Sequence, residues 1–292
     1  MSFGILTLAT PGDYKKAIAL ALSARVSNPG VPLAVAAAAK LRPLLAPYFE
    51  HFVEENGALK GFEHKVHMDR YSPFEDTFFF DSDVLLFQDL LPTAKAWGHQ
   101  VYTAIGGYQT EGYSTFGMDR KKVLKKIGKP RMAVIDGAGH CYFRKPGSTA
   151  FFELARDITA RHQEYCGRIK YADEDVIDIA MTVMDLQPAA GRGFFSRHLS
   201  AKPGSLRMSA LDGLCSYVEQ EGAGERISVS MMHFASNEAP FTYARQMHTL
   251  FRKYGVETSG LYRNACQEFF DSEIKLRARR WVRGLLKKPD FT

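Results

Sequence analysis

The sequence predicts an α/β protein built on a mostly parallel, doubly wound sheet flanked by helices. Apolar runs of strand composition alternate with Ala- and Leu-rich helical stretches through the first hundred residues, and Gly/Pro/Asn clusters punctuate them. The most aromatic run, Thr77-Phe78-Phe79-Phe80, stops abruptly at Asp81-Ser82-Asp83. Strands and helices alternating at this spacing favour a parallel sheet, whose ligands bind beyond the carboxyl ends of the strands. Residues 4–10 read as the first strand, Pro11-Gly12-Asp13 as a turn, and residues 14–25 as the first helix. Residues 31–37 form a second strand after Asn28-Pro29-Gly30, and residues 40–50 a helix. Beyond about residue 100 the pattern loosens into glycine-rich stretches such as Gly106-Gly107-Tyr108 and Gly137-Ala138-Gly139. There is no internal repeat and no low-complexity segment.

A chain of 292 residues with 46% hydrophobic content can bury a full core as one large domain or one and a half. No run approaches the roughly 18 to 20 apolar residues that span a bilayer. The N-terminus enters an apolar strand without a basic leader, so a cytoplasmic protein is expected. Cys141, Cys166, Cys215 and Cys266 are far apart with no C-x-x-C pairing, which indicates buried thiols and neither a zinc site nor a disulfide framework. The net charge of +6 is concentrated in residues 120–131 and 275–288, and without them the remainder is acidic. That distribution suggests local attraction to an anionic partner and argues against a nucleic-acid-binding fold.

The chemistry centres on Asp81 and Asp83. Alternation along an extended chain would point both side chains to the same side. Two adjacent carboxylates at a buried strand end are costly without a positive partner, and a divalent cation such as Mg²⁺ or Mn²⁺ is the simplest one. The alternative is structural: Asp81 caps a turn and Asp83 caps a following helix.

Together with four further elements, this pair resembles the retaining GT-A glycosyltransferases of the glycogenin and lipopolysaccharide galactosyltransferase type, family 8-like. Thr7-Leu8-Ala9-Thr10 with Tyr14 resembles that family's first strand and nucleoside-binding turn, and Asp81-Ser82-Asp83 its metal-binding D-x-D. Lys65 stands where the family keeps a basic residue for the sugar nucleotide. Asp173-Glu174 resembles its Asp-Gln pair beside the donor sugar, and Met232-His233-Phe234 its His-Phe element with the third metal ligand. The resemblance implies a GT-A fold with a Rossmann-like sheet over residues 1–270, divided into a nucleotide-binding half (1–100) and an acceptor half (101–270). A basic C-terminal helix (271–292) would follow. It implies Mn²⁺ or Mg²⁺ on Asp81, Asp83 and His233, and donor contacts from Leu8, Thr10, Tyr14, Lys65, Ser82 and Gly139. Asp173 and Glu174 would be the catalytic pair. Three positions depart from the family: His233-Phe234-Ala235-Ser236 lacks its usual glycine, Gly137-Ala138-Gly139 replaces an Asn-x-Gly, with Asp136 or His140 as substitutes for the missing amide, and Ala239-Pro240-Phe241 replaces a Lys-Pro-Trp. Arg245 or the 120–131 cations are candidate replacements for that lysine.

Each element also has a structural reading. Tyr14 would be core, Lys65 a solvated cation, Asp173-Glu174-Asp175 a helix cap, and His233 a core histidine. The activity implied is metal-dependent transfer, with retention, from a nucleotide diphosphate sugar, UDP-linked in the first instance, to a glycan, lipid-linked or protein acceptor. The rivals are a sugar nucleotidyltransferase and a non-catalytic nucleotide-sugar-binding protein. The former is disfavoured because Ala9-Thr10-Pro11-Gly12-Asp13 carries no cation before Lys15.

The C-terminal segment sets Ile274, Ala278, Trp281, Val282, Leu285 and Leu286 at helical spacing among cations. This suits either a peripheral helix at the inner membrane face or a packed terminal helix. If the former, truncation after Asp271 abolishes co-sedimentation with anionic vesicles at low salt, at about 1 kcal/mol per well-placed cation. Turnover of a soluble acceptor would be unchanged, and an intact chain that ignores such vesicles identifies the packed helix.

Overall fold

The computed structural model describes residues 3–197, 200–220, 224–234 and 239–271. The chain runs through β1 (Phe3–Ala9), α1 (Tyr14–Ser27), β2 (Leu33–Ala37), α2 (Arg42–Leu45), β3 (His51–Glu54) and α3 (Met68–Tyr71). Next come β4 (Asp76–Phe80), β5 (Val84–Leu86), α4 (Leu91–Trp97), β6 (Tyr102–Thr103), β7 (Gly106–Gln109), α5 (Arg120–Ile127), β8 (Met132–Ile135) and β9 (His140–Arg144). Helices α6 (Thr149–Ala160), α7 (His162–Cys166) and α8 (Asp173–Val183) follow. Strands β10 (Phe195–Arg197), β11 (Arg207–Ser209), β12 (Leu214–Val218), β13 (Arg226–Ser228) and β14 (Met231–His233) precede α9 (Pro240–Tyr254) and α10 (Leu261–Phe269). None of the described helices is long and apolar enough to cross a membrane. The basic C-terminal segment expected from the sequence lies outside the described residues.

The chain divides into two compact units. The first holds residues 1–17, 30–82 and 89–192, and its six-stranded sheet has the order β3-β2-β1-β4-β9-β6. β3, β2, β1 and β4 run parallel, whereas β9 and β6 add an antiparallel edge. Phe78 and Phe79 are adjacent and both fully buried, so β4 has apolar contacts on both faces, as a central strand must. On one side Phe78 meets Trp97 and Tyr142, and the core on the other gathers Phe79, Tyr102, Phe143, Phe151 and Phe152. The 40–50 helix reduces to a 3-10 turn and the single turn α2, because Pro47 has no N–H to continue it.

The second unit comprises 18–29, 83–88 and the described residues from 193 onward. A three-stranded sheet orders β10-β14-β5, and β11-β12-β13 form an antiparallel meander. Ser23 Oγ accepts a hydrogen bond from Leu86 N–H at 3.1 Å, and Asn28 Nδ2 donates to the Gln88 carbonyl. Gln246 of α9 bonds Ala210 N–H and the Met208 carbonyl, closing the end of β11. Cys141, Cys166 and Cys215 are buried, but Cys266 is exposed, since its position on α10 faces away from Leu261 and Ala265, which take the buried stripe.

Helix α8 clamps β8 through side chains. Asp178 Oδ1 accepts from Ile135 N–H at 2.8 Å and Thr182 Oγ1 from Ala133 N–H at 2.9 Å. Burial pushes the Asp178 carboxyl well above its ordinary range, despite the Ile135 N–H bond. The native state therefore holds this proton more tightly than the unfolded chain. Its contribution to stability falls as pH climbs from about 3.9 toward the raised native value. Asp178→Ala should cost about 1 to 3 kcal/mol by orphaning a buried N–H. Asp178→Asn keeps the acceptor and removes the titration, so urea melts should show it gaining on the wild type between pH 4 and pH 7.

Candidate active site

The parallel half of the sheet reverses its winding between β1 and β4, because the chain leaves β1 for β2 on one side and returns to β4 on the other. Such a switch point opens a crevice beyond the strand ends. β1 ends at Ala9, so Thr10 begins the turn, and Leu8 and Tyr14 flank it half-buried. Asp13 closes that turn, its carboxylate accepting from Thr10 N–H. Burial raises the Asp13 carboxyl, opposed by its bonds to Thr10, by Lys16 and by a bond with Ser82. Ser82 belongs to the turn after β4, so Asp13 ties the two strand ends together. The sequence showed Asp13 only as a turn former, and nothing in the pattern distinguished it.

β4 stops at Phe80, which leaves Asp81, Ser82 and Asp83 in a turn. Strand alternation therefore does not orient the two carboxylates. The strand β5, not a helix, follows Asp83, so the capping alternative fails for that residue. Asp81 N–H donates to the Gly139 carbonyl at 2.8 Å. Gly137 holds a φ of +82°, left-handed backbone that favours glycine.

Lys65 joins the elements of this crevice. It sits on a 3-10 segment, Gly61–His67, and is 7% exposed, which excludes a solvated cation. Its Nζ lies 2.9 and 3.0 Å from the Asp81 carboxylate oxygens, 3.2 Å from Asp173 Oδ2 and 3.1 Å from the Ala138 carbonyl. Burial alone would push the ammonium down, but Asp81 and Asp173 outweigh it and raise the pKa above its ordinary value. Arg156 on α6 steadies this segment by donating to the Val66 carbonyl at 3.0 Å while pairing with Asp69 at 2.9 Å. Asp173, Glu174 and Asp175 occupy the first turn of α8, and Ala172, not an acidic residue, holds the cap position. Their carboxylates thus meet the positive end of the helix dipole without capping it.

In the second unit, His233 ends β14, in antiparallel register with Val84. Phe234 N–H donates to the Asp83 carbonyl at 3.0 Å, and His233 Nε2 stands 3.0 Å from Asp83 Oδ1. The histidine is 5% exposed. Ala239 caps α9 in left-handed backbone, φ +49°, and Phe241 is exposed.

No family model and no curated protein sequence matches the chain. Among solved structures it is similar to galactosyltransferase LgtC bound to donor and acceptor sugar analogs, with TM-score 0.54 and 14% identity over 86% of this chain and 99% of that one. The bifunctional glycosyltransferase WbbM gives 0.52 at 10% identity, over 86% and 51%. Mouse xyloside xylosyltransferase 1 gives 0.50 at 10%, over 82% and 99%. The chain spans about half the length of WbbM and 44% of glycosyltransferase GlyE of Streptococcus pneumoniae. The likeness is one of architecture: the chain has the GT-A glycosyltransferase fold, with a central mostly parallel sheet.

Removing the cation that bridges two carboxylates leaves buried negative charge uncompensated. Lys65→Met should lower stability by about 3 kcal/mol at neutral pH. The deficit should shrink in acid, where the carboxylates protonate. Urea melts of the variant and the wild type at pH 7 and pH 4 check this.

Proposed function

We propose that this protein transfers a glycosyl group from a nucleotide diphosphate sugar, UDP-linked in the first instance, to a glycan, lipid-linked or protein acceptor. The observation that carries the reading is the imidazole of His233 set 3.0 Å from Asp83, two residues after Asp81 at the end of a central strand. Carboxylate oxygens and one imidazole form a donor set that fits Mn²⁺ or Mg²⁺, with the nitrogen favouring Mn²⁺. Asp81, Asp83 and His233 would hold the ion. When bound, it supplies positive charge against the diphosphate leaving group.

The chain's own residues do the rest. The β1 turn, with Leu8, Thr10 and Tyr14, receives the nucleoside. Ser82 and the Gly139 backbone border the diphosphate. Lys65 fixes the Asp173 carboxylate 3.2 Å from its ammonium, so that this group faces the donor sugar in one orientation. There it stabilises positive charge developing at the anomeric carbon. Glu174, next on α8, takes the position of the family's amide. Retention of anomeric configuration belongs to the same reading.

Asp83→Ala deletes a ligand while sparing the core, because its side chain is partly exposed. It should abolish Mn²⁺-dependent affinity for UDP and reduce UDP release from UDP-sugars at least a hundredfold, with an unchanged melting temperature. Unaltered Mn²⁺-dependent UDP affinity in the variant would defeat the metal assignment. Across a panel of UDP-, GDP- and CMP-sugars, pyrophosphate chemistry would indicate a nucleotidyltransferase. Binding without turnover would indicate a nucleotide-sugar-binding protein.

A further inference from the structure

A second group of ligand-type side chains lies within the first unit, apart from the residues assigned above. His162 and Cys166 stand one turn apart on α7, and Asp175 is the third residue of α8. One ligand atom from each falls within 4.8 Å of the other two. His162, Cys166 and Asp175 are 7%, 8% and 0% exposed. His162 Nε2 and both carboxylate oxygens of Asp175 are buried without a hydrogen bond of normal geometry. Buried polar atoms seldom stay unsatisfied, and such atoms on two residues of one ligand-type trio call for a common partner.

We infer that His162, Cys166 and Asp175 form a zinc-class metal site that staples the end of α7 to the first turn of α8. One nitrogen, one sulfur and one oxygen ligand are the donors zinc accepts, and three protein ligands leave a fourth position for water. A tetrahedral zinc needs its ligands roughly 3.5 Å apart, so closure asks for shifts of about an ångström. The charge balances: thiolate and carboxylate together cancel the dication, and the imidazole is neutral. Without a cation, burial raises Asp175, pushes the Cys166 thiol up to about 12 and lowers His162, each toward its uncharged form. Arg120, Lys126, Ser114, Asp173 and Asp178 are the other groups acting on the trio. His162 also lines a surface cleft with Thr159, Glu164 and Tyr171, which gives an ion a route inward.

The test uses the full chain carrying Asp83→Ala, so that the ion proposed for sugar transfer does not interfere, with Co²⁺ and Zn²⁺ as probes. Co²⁺ should produce a thiolate-to-metal charge-transfer band, and dialysed protein should retain one equivalent of Zn²⁺. Cys166→Ser should abolish the band, and Asp175→Asn should weaken Zn²⁺ binding at least tenfold. A further measurement leaves the trio intact: Zn²⁺ should raise the melting temperature of the Asp83→Ala chain, and chelation should reverse the rise. Absence of both the band and the thermal shift overturns the proposal, as does a band that survives Cys166→Ser. Because the background variant already lacks the Asp83 ligand, failure here is separable from failure of the sugar-transfer reading.

Discussion

One buried ammonium organises the crevice. Burial alone would lower the pKa of Lys65, and Asp81 and Asp173, which flank it, more than offset that and favour its charged form. The same pairing fixes the end of β4, the start of α8 and, through the Ala138 carbonyl, the glycine loop before β9. Phe80, Ala138 and Val176 are buried beside it, so the ion pair acts together with apolar packing to fix the mutual placement of these segments. Geometry of this kind tolerates little loosening, since an ion pair shielded from water loses strength steeply once water enters.

Helix α8 then distributes acidic groups along one element with different consequences. Asp173 is ion-paired with Lys65, Asp175 is buried beside His162 and Cys166, and Asp178 serves as acceptor for a strand amide. The helix dipole favours the first of these charges and fades within a turn. Burial governs the last, and a carboxyl that is neutral more of the time is a satisfactory hydrogen-bond acceptor there. A helix that reads in sequence as an acidic start followed by an apolar run is therefore three environments in succession.

The α/β class, β1, α1 and the aromatic strand ending at Asp81 were legible because period and punctuation agree there: Pro11-Gly12 and Asn28-Pro29-Gly30 break the chain where the elements break. Residues 40–50 were not, since helical composition outweighed Pro47, which has no N–H to carry the helix past α2. The turn conformation of Asp81-Ser82-Asp83 was also hidden, because an i, i+2 pair looks alike in a strand or just past one. Lys65 and Asp173 could be singled out only through the family resemblance, and their direct contact depends on a loop closure spanning more than a hundred residues. Cysteine spacing pointed away from metal, yet Cys166 has His162 one helical turn before it. Cys266 was expected to be buried like the other three cysteines and is not, because the buried stripe of α10 runs through Leu261 and Ala265.

The clamp between α8 and β8 has a consequence for the company the protein keeps. Among the described residues β8 pairs with β7 alone, and a strand with its other side bare offers a row of amides on which a foreign chain can grow. Here Ala133 and Ile135 donate those amides to Thr182 and Asp178, so the helix occupies the rim that a stray strand would need. The ribbon is thereby finished on its open side with side chains in place of another strand, which guards against edge-to-edge aggregation.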